Sequence, residues 1–269
     1  MRFAGTALLG CAALLLSAAL RAQTSPKSEA PLSHRALIDE LVIANHILAN
    51  EGVLDAYGHV SVRDSQNPEH FYLARHMAAG MVTAKDIIEY DLDSNPIVKS
   101  ETAGYTERFI HSEIYRTRPD VVSVVHSHSP AVVPFSVVSG TKLRPICHMC
   151  GFLGAAAPVF EIRDVAGPGS DLLIRDARLG AALAQSLGQS AAILMRGHGS
   201  TVVGGTLRQA VFRAVYTEVC ARLQSEAIRL GPVTYLTEEE GEATARTNDA
   251  QIDRTSLLWL KAVRSRSMA

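Results

Sequence analysis

The spacing of apolar residues along the chain changes repeatedly between a helical period and a strand period. Helical spacing is found over residues 33–52, 107–116, 131–138, 171–187 and 206–230. Strand-like alternation or a short β-branched run is found over residues 58–63, 71–74, 88–92, 121–125, 156–160 and 191–195. This order of elements predicts an α/β fold in which helices pack on both faces of a sheet.

Composition and charge narrow this picture to one ordinary globular domain. The 269 residues are 47% apolar and 20% charged, which is enough to bury one sizeable core. The interior of the sequence has neither an internal repeat nor a linker rich in Pro, Gly and Ser, so we predict a single domain over residues 33–269. The formal net charge of -1 gives no electrostatic footprint for nucleic acid, and no nucleic-acid partner is expected.

The first 22 residues differ in kind from the rest of the chain. Arg2 is followed by an almost unbroken apolar run over residues 3–20, then by Arg21 and a polar stretch. A basic start, an apolar middle and small residues near a cleavage point are typical of a secretory signal peptide. The alternative is a membrane anchor, because the run approaches the ~20 residues that a spanning helix needs. We predict a signal peptide over residues 1–22, an exported, periplasmic protein, and no stable membrane span after processing.

Four cysteines occur, and one of them, Cys11, lies in the predicted signal peptide. Cys147 and Cys150 form a C-x-x-C motif, which can be redox-active or can supply half of a zinc site. The sequence has no second C-x-x-C to complete a zinc cage, and Cys220 is alone in a predicted helix. We interpret Cys147 and Cys150 as small, partly buried side chains that can form a disulfide in an exported protein.

Two histidines close the apolar run over residues 121–125. His126 and His128 are two positions apart, and residues i and i+2 of a strand share a face, so their rings can form a chelate. A third histidine, His198, follows the strand predicted over residues 191–195. It has a glycine on either side, and glycine lets the backbone approach a ligand closely.

An acidic residue completes this set of candidate ligands. Glu107 opens a predicted helix, and His111 lies four residues later on the same helix face. Three neutral imidazoles and one carboxylate suit a divalent metal and leave a position for substrate. We predict one divalent ion per subunit, Zn2+ or Mn2+, with the ligands His126, His128, His198 and Glu107. We interpret His111 as a packing residue.

The candidate ligands and their flanking residues resemble the class II aldolase/adducin family. The similarity is carried by residues 107–111, by residues 114–120 leading to His126-Ser127-His128, and by the later His198-Gly199. It extends over about residues 33–230. The resemblance implies a three-layer α/β/α sandwich around a largely antiparallel central sheet. It also implies a fourfold homotetramer with sites at the subunit interfaces.

The chain departs from the sugar-phosphate aldolases of this family where those enzymes hold phosphate. Their Gly-Asn-x-Ser turn, Ser-Gly turn and Ser-Ser pair are replaced here by Gly58-His59-Val60-Ser61, Ala79-Gly80-Met81 and Tyr105-Thr106. An Asn amide and several hydroxyls that could receive phosphate oxygens are missing. Phosphate recognition is therefore not expected, because a buried dianion needs charge-assisted donors.

The sequence looks closest to the branch of the family that decarboxylates hydroxylated aromatic or pyridine dicarboxylates. Arginine forms two parallel hydrogen bonds with a carboxylate, and three arginines adjoin the motifs. We predict that Arg63, Arg108 and Arg196 bind a small-molecule carboxylate substrate.

The resemblance predicts a metal-dependent lyase that cleaves a carbon–carbon bond. Glu107 is the candidate for moving the proton, and His59 for positioning the substrate or donating a proton. One alternative is a class II aldolase that cleaves or forms an unphosphorylated hydroxy-aldehyde or keto substrate. The other is a non-catalytic, adducin-like interaction module, against which the intact set of ligands argues.

The apolar leader is expected to be missing from the mature protein in its native cell, because its basic start and apolar middle direct export and cleavage. Mass spectrometry of protein recovered from separated cell fractions tests this expectation. A chain that still begins at Met1 and is found in the cytoplasm would contradict it.

Overall fold

The computed structural model describes residues 33–99 and 104–266. Leu32–Ala269 form one compact unit. The predicted signal peptide, residues 1–22, lies outside the described residues. Among the helices of the described part of the chain, none is both long and apolar enough to cross a bilayer.

The described strands form one seven-stranded sheet with the order β3-β2-β1-β4-β7-β6-β5. The strands are β1 His59–Arg63, β2 His70–Ala74, β3 Ile87–Asp91, β4 Ser123–Ser127, β5 Val159–Phe160, β6 Ala192–Met195 and β7 Gly199–Gly204. Neighbouring strands are antiparallel except for β5 and β6, which run parallel. The prediction of a largely antiparallel central sheet is therefore confirmed.

Helices cover both faces of this sheet. They are α1 His34–Asn50, α2 Arg108–Thr117, α3 Val133–Val137, α4 Arg163–Ala166, α5 Ala177–Leu187, α6 Leu207–Leu230, α7 Glu238–Asp249 and α8 Ile252–Arg266. On one face, α1, α6 and α8 pack together, with α1 against β1 and α6 against β4 and β7. On the other face, α2 and α5 pack together and contact β4, β5 and β6. The protein is a three-layer α/β/α sandwich, as predicted.

Each face of the sheet has its own apolar core, because successive strand residues point in opposite directions. In β4, Val125 packs with the cluster that contains Leu41, whereas its neighbour Val124 packs with the cluster that contains Ile110 and Leu183. A strand that is buried on both faces needs apolar side chains at successive positions. This explains why residues 121–125 form a continuous β-branched run rather than an alternating one.

The helix predicted over residues 171–187 begins only at Ala177. The side chain of Asp176 accepts a hydrogen bond from the Leu179 amide and so acts as the N-cap. The residues before it form a loop in which Leu172 has a φ of 70°. This loop matters for function, because it places backbone groups next to Glu107 and His198.

Two strands also differ from the sequence prediction. The strand predicted over residues 156–160 is reduced to β5, Val159–Phe160. Strand β7, Gly199–Gly204, was not predicted, because its glycine, serine and threonine content has no alternating apolar pattern. Its register comes from pairing with β4 and β6, which is a tertiary contact and not a local preference.

The cysteines pair differently from the sequence interpretation. Cys150 forms a disulfide with Cys220 of α6, and their Cα atoms are 6.1 Å apart. Cys147 is free, and its sulfur lies 3.0 Å from that of Cys150. The pairing of Cys147 with Cys150 is therefore wrong. The motif spacing could not reveal the contact with Cys220, which is 70 positions from Cys150 in the sequence.

A glycine in α5 allows close packing with α2. A Cβ added at Gly180 would lie 2.5 Å from the carbonyl oxygen of Phe109 and 2.9 Å from Cγ of Glu113. Alanine gains up to about 1 kcal/mol over glycine in a helix interior, but overpacking against backbone typically costs about 1–3 kcal/mol. We expect Gly180→Ala to lower the free energy of unfolding by about 1–2 kcal/mol, measured by urea denaturation.

Gly169→Ala is the matched control, because a Cβ at that position has no atom within 4 Å. The control should leave the free energy of unfolding unchanged or slightly raised. A Gly180→Ala protein as stable as the unsubstituted one would contradict the packing argument.

Candidate metal centre

Four side chains with metal-binding atoms converge where β4 ends and β7 begins. His126 lies in β4 and His128 directly after it, while His198 lies in the turn between β6 and β7. Glu107 directly precedes α2. One ligand atom from each of the four lies within 4.8 Å of the others. The structure thus brings together the four residues that the sequence proposed as ligands.

Two glycines allow His198 to reach this cluster. Gly197 has a φ of 67°, in the left-handed region that favours glycine. A Cβ added at Gly199 would overlap the carbonyl oxygen of Ser127 in β4. The close approach of β4 and β7 therefore requires glycine at position 199, and this approach places the ring of His198 beside that of His126.

The separations of the ligand atoms fit one shared cation. The Nε2 atoms of His126 and His128 are 3.3 Å apart, and those of His128 and His198 are 3.1 Å apart. Oε2 of Glu107 lies 3.5 Å from Nε2 of both His126 and His198. Ligands held roughly 2.1 Å from a tetrahedral zinc ion lie about 3.4 Å from one another. The four groups are therefore spaced as the ligands of a single divalent ion are.

Hydrogen bonds to the outer ring nitrogens point to the same conclusion. Nδ1 of His198 lies 2.9 Å from the carbonyl oxygen of Leu172, to which it can only donate. Nδ1 of His128 lies 3.3 Å from Oδ2 of Asp55 and donates to that carboxylate. In neutral imidazoles this arrangement leaves a lone pair on each Nε2, because only one ring nitrogen carries a proton. Two lone pairs 3.1 Å apart repel each other unless a cation lies between them.

His126 adds a further indication. Its ring is completely buried, and its Nδ1 is a buried polar atom without a partner among the described residues. A buried polar group without a partner costs about 1–3 kcal/mol. A strong interaction at Nε2 would offset this cost, and a metal ion supplies one.

Burial and nearby groups hold the ligands in the protonation states that metal binding requires. Burial alone would raise the pKa of Glu107, but His126, His198 and the Ile174 amide together lower it to about 2. Burial and the neighbouring His126 lower the pKa of His198 to about 4. Burial also lowers the pKa of His128. At neutral pH the carboxylate is therefore ionised and these two imidazoles are neutral, the forms that bind divalent ions.

Asp55 supports the centre, although the sequence analysis did not propose it. Its Oδ1 accepts hydrogen bonds from the amides of Tyr57 and Gly58, and its Oδ2 faces Nδ1 of His128. A carboxylate in this position orients the histidine ring and fixes its tautomer. The only local signal was an Asp three residues before a glycine, which is typical of any turn.

His59 lies beside the four ligands. It is the register partner of His126 in the β1–β4 pair, so the two side chains share a face, and their ring centroids are 5.1 Å apart. Its ring also lies 4.4 Å from that of Tyr105. His59 is buried, and its Nδ1 is 2.7 Å from Nε2 of His111. His111 is buried, as a packing residue would be, but it is also hydrogen-bonded through both ring nitrogens.

The structure does not bring Arg63 to this cluster. Arg63 lies at the opposite end of β1 from His59, and its guanidinium donates to the carbonyl oxygens of Val121, Pro68, Tyr115 and Arg118. These bonds use the fork of donors that a substrate carboxylate would need. These hydrogen bonds hold together the loops at the Arg63 end of β1.

Arg108 and Arg196 also have protein partners. The guanidinium of Arg108 donates to the carbonyl oxygens of Ser94 and Tyr105. Nε of Arg196 lies 2.6 Å from Oε2 of Glu161, and the Arg196 side chain is 25% exposed. Arg196 thus keeps some surface for a ligand, whereas the described contacts of Arg108 hold a loop in place.

The comparison with protein families agrees with the fold and the site. The model of the class II aldolase and adducin N-terminal domain matches residues 39–225. This match covers well over half of the chain, so the chain belongs to the class II aldolase and adducin family. The resemblance predicted from the sequence motifs is confirmed.

Two relatives and one solved structure are similar over most of the chain. Decarboxylase tropJ of Talaromyces stipitatus is 40% identical over 241 residues, which are 81% of this chain and 90% of the relative. The 3,4-dihydroxyphthalate decarboxylase of Arthrobacter keyseri is 30% identical over 213 residues, covering 75% of this chain and 82% of the relative. L-fuculose 1-phosphate aldolase of Glaciozyma antarctica PI12 shares the fold, with a TM-score of 0.72 at 23% identity over 88% of this chain and 94% of that one.

Asp55 provides a test of the centre that leaves the four ligands unchanged. In Asp55→Asn, the amide oxygen can still accept from the turn amides, but the amide nitrogen then faces Nδ1 of His128. The donor would favour a proton on Nε2 of His128 and so block its lone pair. We expect a 10- to 100-fold loss of metal affinity, measured by titration calorimetry of the metal-free protein.

Two further variants serve as controls for this affinity measurement. Asp253→Asn changes an exposed carboxylate that pairs with Arg208, and it should leave the affinity unchanged. His126→Ala removes a ligand and should abolish binding while the fold persists. Equal affinities of Asp55→Asn and Asp253→Asn would contradict the role of Asp55.

Proposed function

We propose that this protein is a divalent-metal-dependent decarboxylase that acts on a hydroxylated aromatic or pyridine carboxylate. The observation that carries the proposal is the convergence of three histidines and Glu107 in a chain whose relatives at 30–40% identity are named decarboxylases. Decarboxylases are lyases, so the prediction of a lyase agrees with these relatives.

The centre suits a reaction that leaves negative charge on the substrate. A divalent cation bound there would act as a Lewis acid that stabilises this charge as CO2 departs. Glu107 has one oxygen on the amide of Ile174, and its other oxygen, Oε2, faces the cluster. Oε2 of Glu107 is therefore the carboxylate atom placed to move a proton during the reaction.

Rings near the centre suit a planar substrate better than a sugar phosphate. Tyr105 replaces one of the serines that hold phosphate in the aldolases that the sequence resembles, and its ring lies 4.4 Å from that of His59. The Tyr105 hydroxyl donates to the carbonyl oxygen of Met77, so the ring is fixed in place. Aromatic side chains held in this way favour a flat ring over a polar phosphate ester.

Arg196 is our candidate for the substrate carboxylate. It directly follows β6, two residues before His198, and of the three predicted arginines it is the one with an ion pair among the described residues. Glu161 also pairs with Arg163 on its exposed side. Arg163 can thus hold Glu161 when Arg196 turns to a substrate.

The identity of the ion, the assembly and the location belong to the proposal. Three imidazoles and a carboxylate support Zn2+ first and Mn2+ second. We propose a homotetramer, as the family resemblance implies, and an exported protein. The disulfide between Cys150 and Cys220 supports export, because such bonds persist in oxidising compartments.

The test offers the purified, metal-loaded protein a panel of hydroxylated benzene and pyridine carboxylates and dicarboxylates, with fuculose 1-phosphate as the aldolase substrate. We expect CO2 from at least one aromatic member and no aldehyde from the sugar phosphate. Chelation of the metal should stop the release of CO2. Aldehyde formation without CO2 from any member would replace the decarboxylase with an aldolase.

Variants of Arg196 and Arg163, the two arginines that pair with Glu161, test whether Arg196 binds the substrate carboxylate. Arg196→Ala should weaken kcat/KM by the equivalent of about 2–5 kcal/mol, because a buried carboxylate loses its charged partner. Metal content should stay the same, since Arg196 is not a ligand. Arg163→Ala is the control, because it pairs with the same glutamate from an exposed position. Equal kinetics in both variants would remove Arg196 from the site.

A further inference from the structure

Four buried polar side chains form a hydrogen-bonded chain that leads away from the candidate metal centre. Nδ1 of His59 lies 2.7 Å from Nε2 of His111, and Nδ1 of His111 lies 2.6 Å from Oγ of Ser61. Oγ of Ser61 in turn lies 2.7 Å from the hydroxyl of Tyr115. All four residues are at most 1% exposed.

The hydrogen-bonded chain follows from the residue spacing of a strand and that of a helix. His59 and Ser61 are i and i+2 in β1 and so share a face of the sheet. His111 and Tyr115 are i and i+4 in α2 and so share a face of the helix. The two elements therefore alternate along the hydrogen-bonded chain: His111 lies between His59 and Ser61, and Ser61 lies between His111 and Tyr115. The arrangement gives both ring nitrogens of His111 and the buried hydroxyls of Ser61 and Tyr115 hydrogen-bond partners.

A carbonyl at the far end of the hydrogen-bonded chain offers it one direction. The Tyr115 hydroxyl lies 3.4 Å from the carbonyl oxygen of Val122, and a carbonyl can only accept. If Tyr115 donates to this carbonyl, Ser61 donates to Tyr115 and His111 donates to Ser61 through Nδ1. Nε2 of His111 is left with a lone pair, which accepts the proton on Nδ1 of His59. Nε2 of His59 is thereby left without a proton.

The second ring nitrogen of His59 lies within the candidate centre. The described residues form no hydrogen bond with Nε2 of His59. The His59 ring lies beside the ring of Tyr105 and beside that of the candidate ligand His126.

We propose that His111, Ser61 and Tyr115 are positioning residues that hold His59 in the tautomer with its proton on Nδ1, so that Nε2 accepts a hydrogen bond from a hydroxyl of the substrate. The inference rests on the proposed function for the presence of an aromatic substrate. It specifies that function further, since a site with an acceptor at this point selects substrates that carry a hydroxyl donor. It also chooses between the two roles that the sequence left open for His59, because this tautomer positions the substrate and does not donate a proton.

Nitrogen NMR of the full-length, zinc-loaded protein with 15N-labelled histidine reads the tautomer directly. The signals of His59 are assigned as those lost in His59→Gln. We expect Nδ1 of His59 to carry the proton and Nε2 to carry none. A proton on Nε2 of His59 would overturn the proposal, whatever the enzyme's activity.

Two small ligands test the hydroxyl contact without turnover. Saturating 2-hydroxybenzoate should shift the Nε2 signal of His59. The methyl ether 2-methoxybenzoate cannot donate and should leave that signal unchanged. Equal shifts with both ligands, or none with either, would refute the contact with the substrate hydroxyl.

Paired variants separate positioning from simple loss of packing. Ser61→Ala interrupts the hydrogen-bonded chain. Ser123→Ala removes a buried hydroxyl that donates to the carbonyl oxygen of Ser61 but is not part of that hydrogen-bonded chain. Ser61→Ala should alter the His59 tautomer signals and lower kcat/KM for a hydroxylated substrate about tenfold, with metal content unchanged. Ser123→Ala should leave both unchanged, and Ser61→Thr, which keeps the hydroxyl, should restore them.

Tyr115→Phe and Tyr90→Phe apply the same test to Tyr115, the last residue of the hydrogen-bonded chain. Tyr90 is about as buried as Tyr115, but it lies in β3 and is not part of the hydrogen-bonded chain of side chains. Only Tyr115→Phe should disturb the His59 signals. His59 signals in Ser61→Ala and Tyr115→Phe that are identical to those of the unsubstituted protein would refute the positioning role. Absence of CO2 from every aromatic carboxylate would instead refute the proposed function, and the NMR result would still decide the tautomer.

Discussion

The site depends on the register in which β4 pairs with its two neighbours. His126 lies opposite His59 of β1 on one side and opposite Thr201 of β7 on the other. A slip of one residue would turn His126 to the other face of the sheet, where the second apolar core lies. In the observed register Val124 is buried in one core and Val125 in the other, and Gly199 of β7 fits closely against Ser127. The same contacts that stabilise the sheet therefore also determine whether a metal centre exists.

Much of this arrangement could be predicted from the sequence, because local periodicity carried it. The two-residue spacing of His126 and His128 places both rings on one face of any strand. The layered fold followed from the order of helical and strand-like segments. Strand β7 and Asp55 could not be predicted in this way, since each owes its role to partners that are far away in the sequence.

The arginines show where sequence neighbourhood stops being informative. Arg63 follows the motif that contains His59, yet four residues of extended strand carry it to the far end of β1, where its guanidinium binds backbone carbonyls. A long side chain can turn in several directions, and only tertiary packing selects one. His111 shows the same limit in reverse: its burial was predicted, but its two hydrogen bonds depend on β1, which lies some 50 positions earlier in the sequence.

The disulfide between Cys150 and Cys220 closes a loop of about 70 residues. Loop closure of this size reduces the entropy of the unfolded chain by the equivalent of about 4 kcal/mol in the chain-entropy description. The loop encloses β5, β6, β7 and His198, whereas Glu107, His126 and His128 lie before it. In the unfolded chain, loss of the crosslink would therefore enlarge the conformational freedom of the segment that carries one candidate ligand. It would leave that of the segment carrying the other three almost unaffected. Because only the folded chain brings the four residues together, the disulfide stabilises this cluster although neither of its sulfur atoms belongs to it.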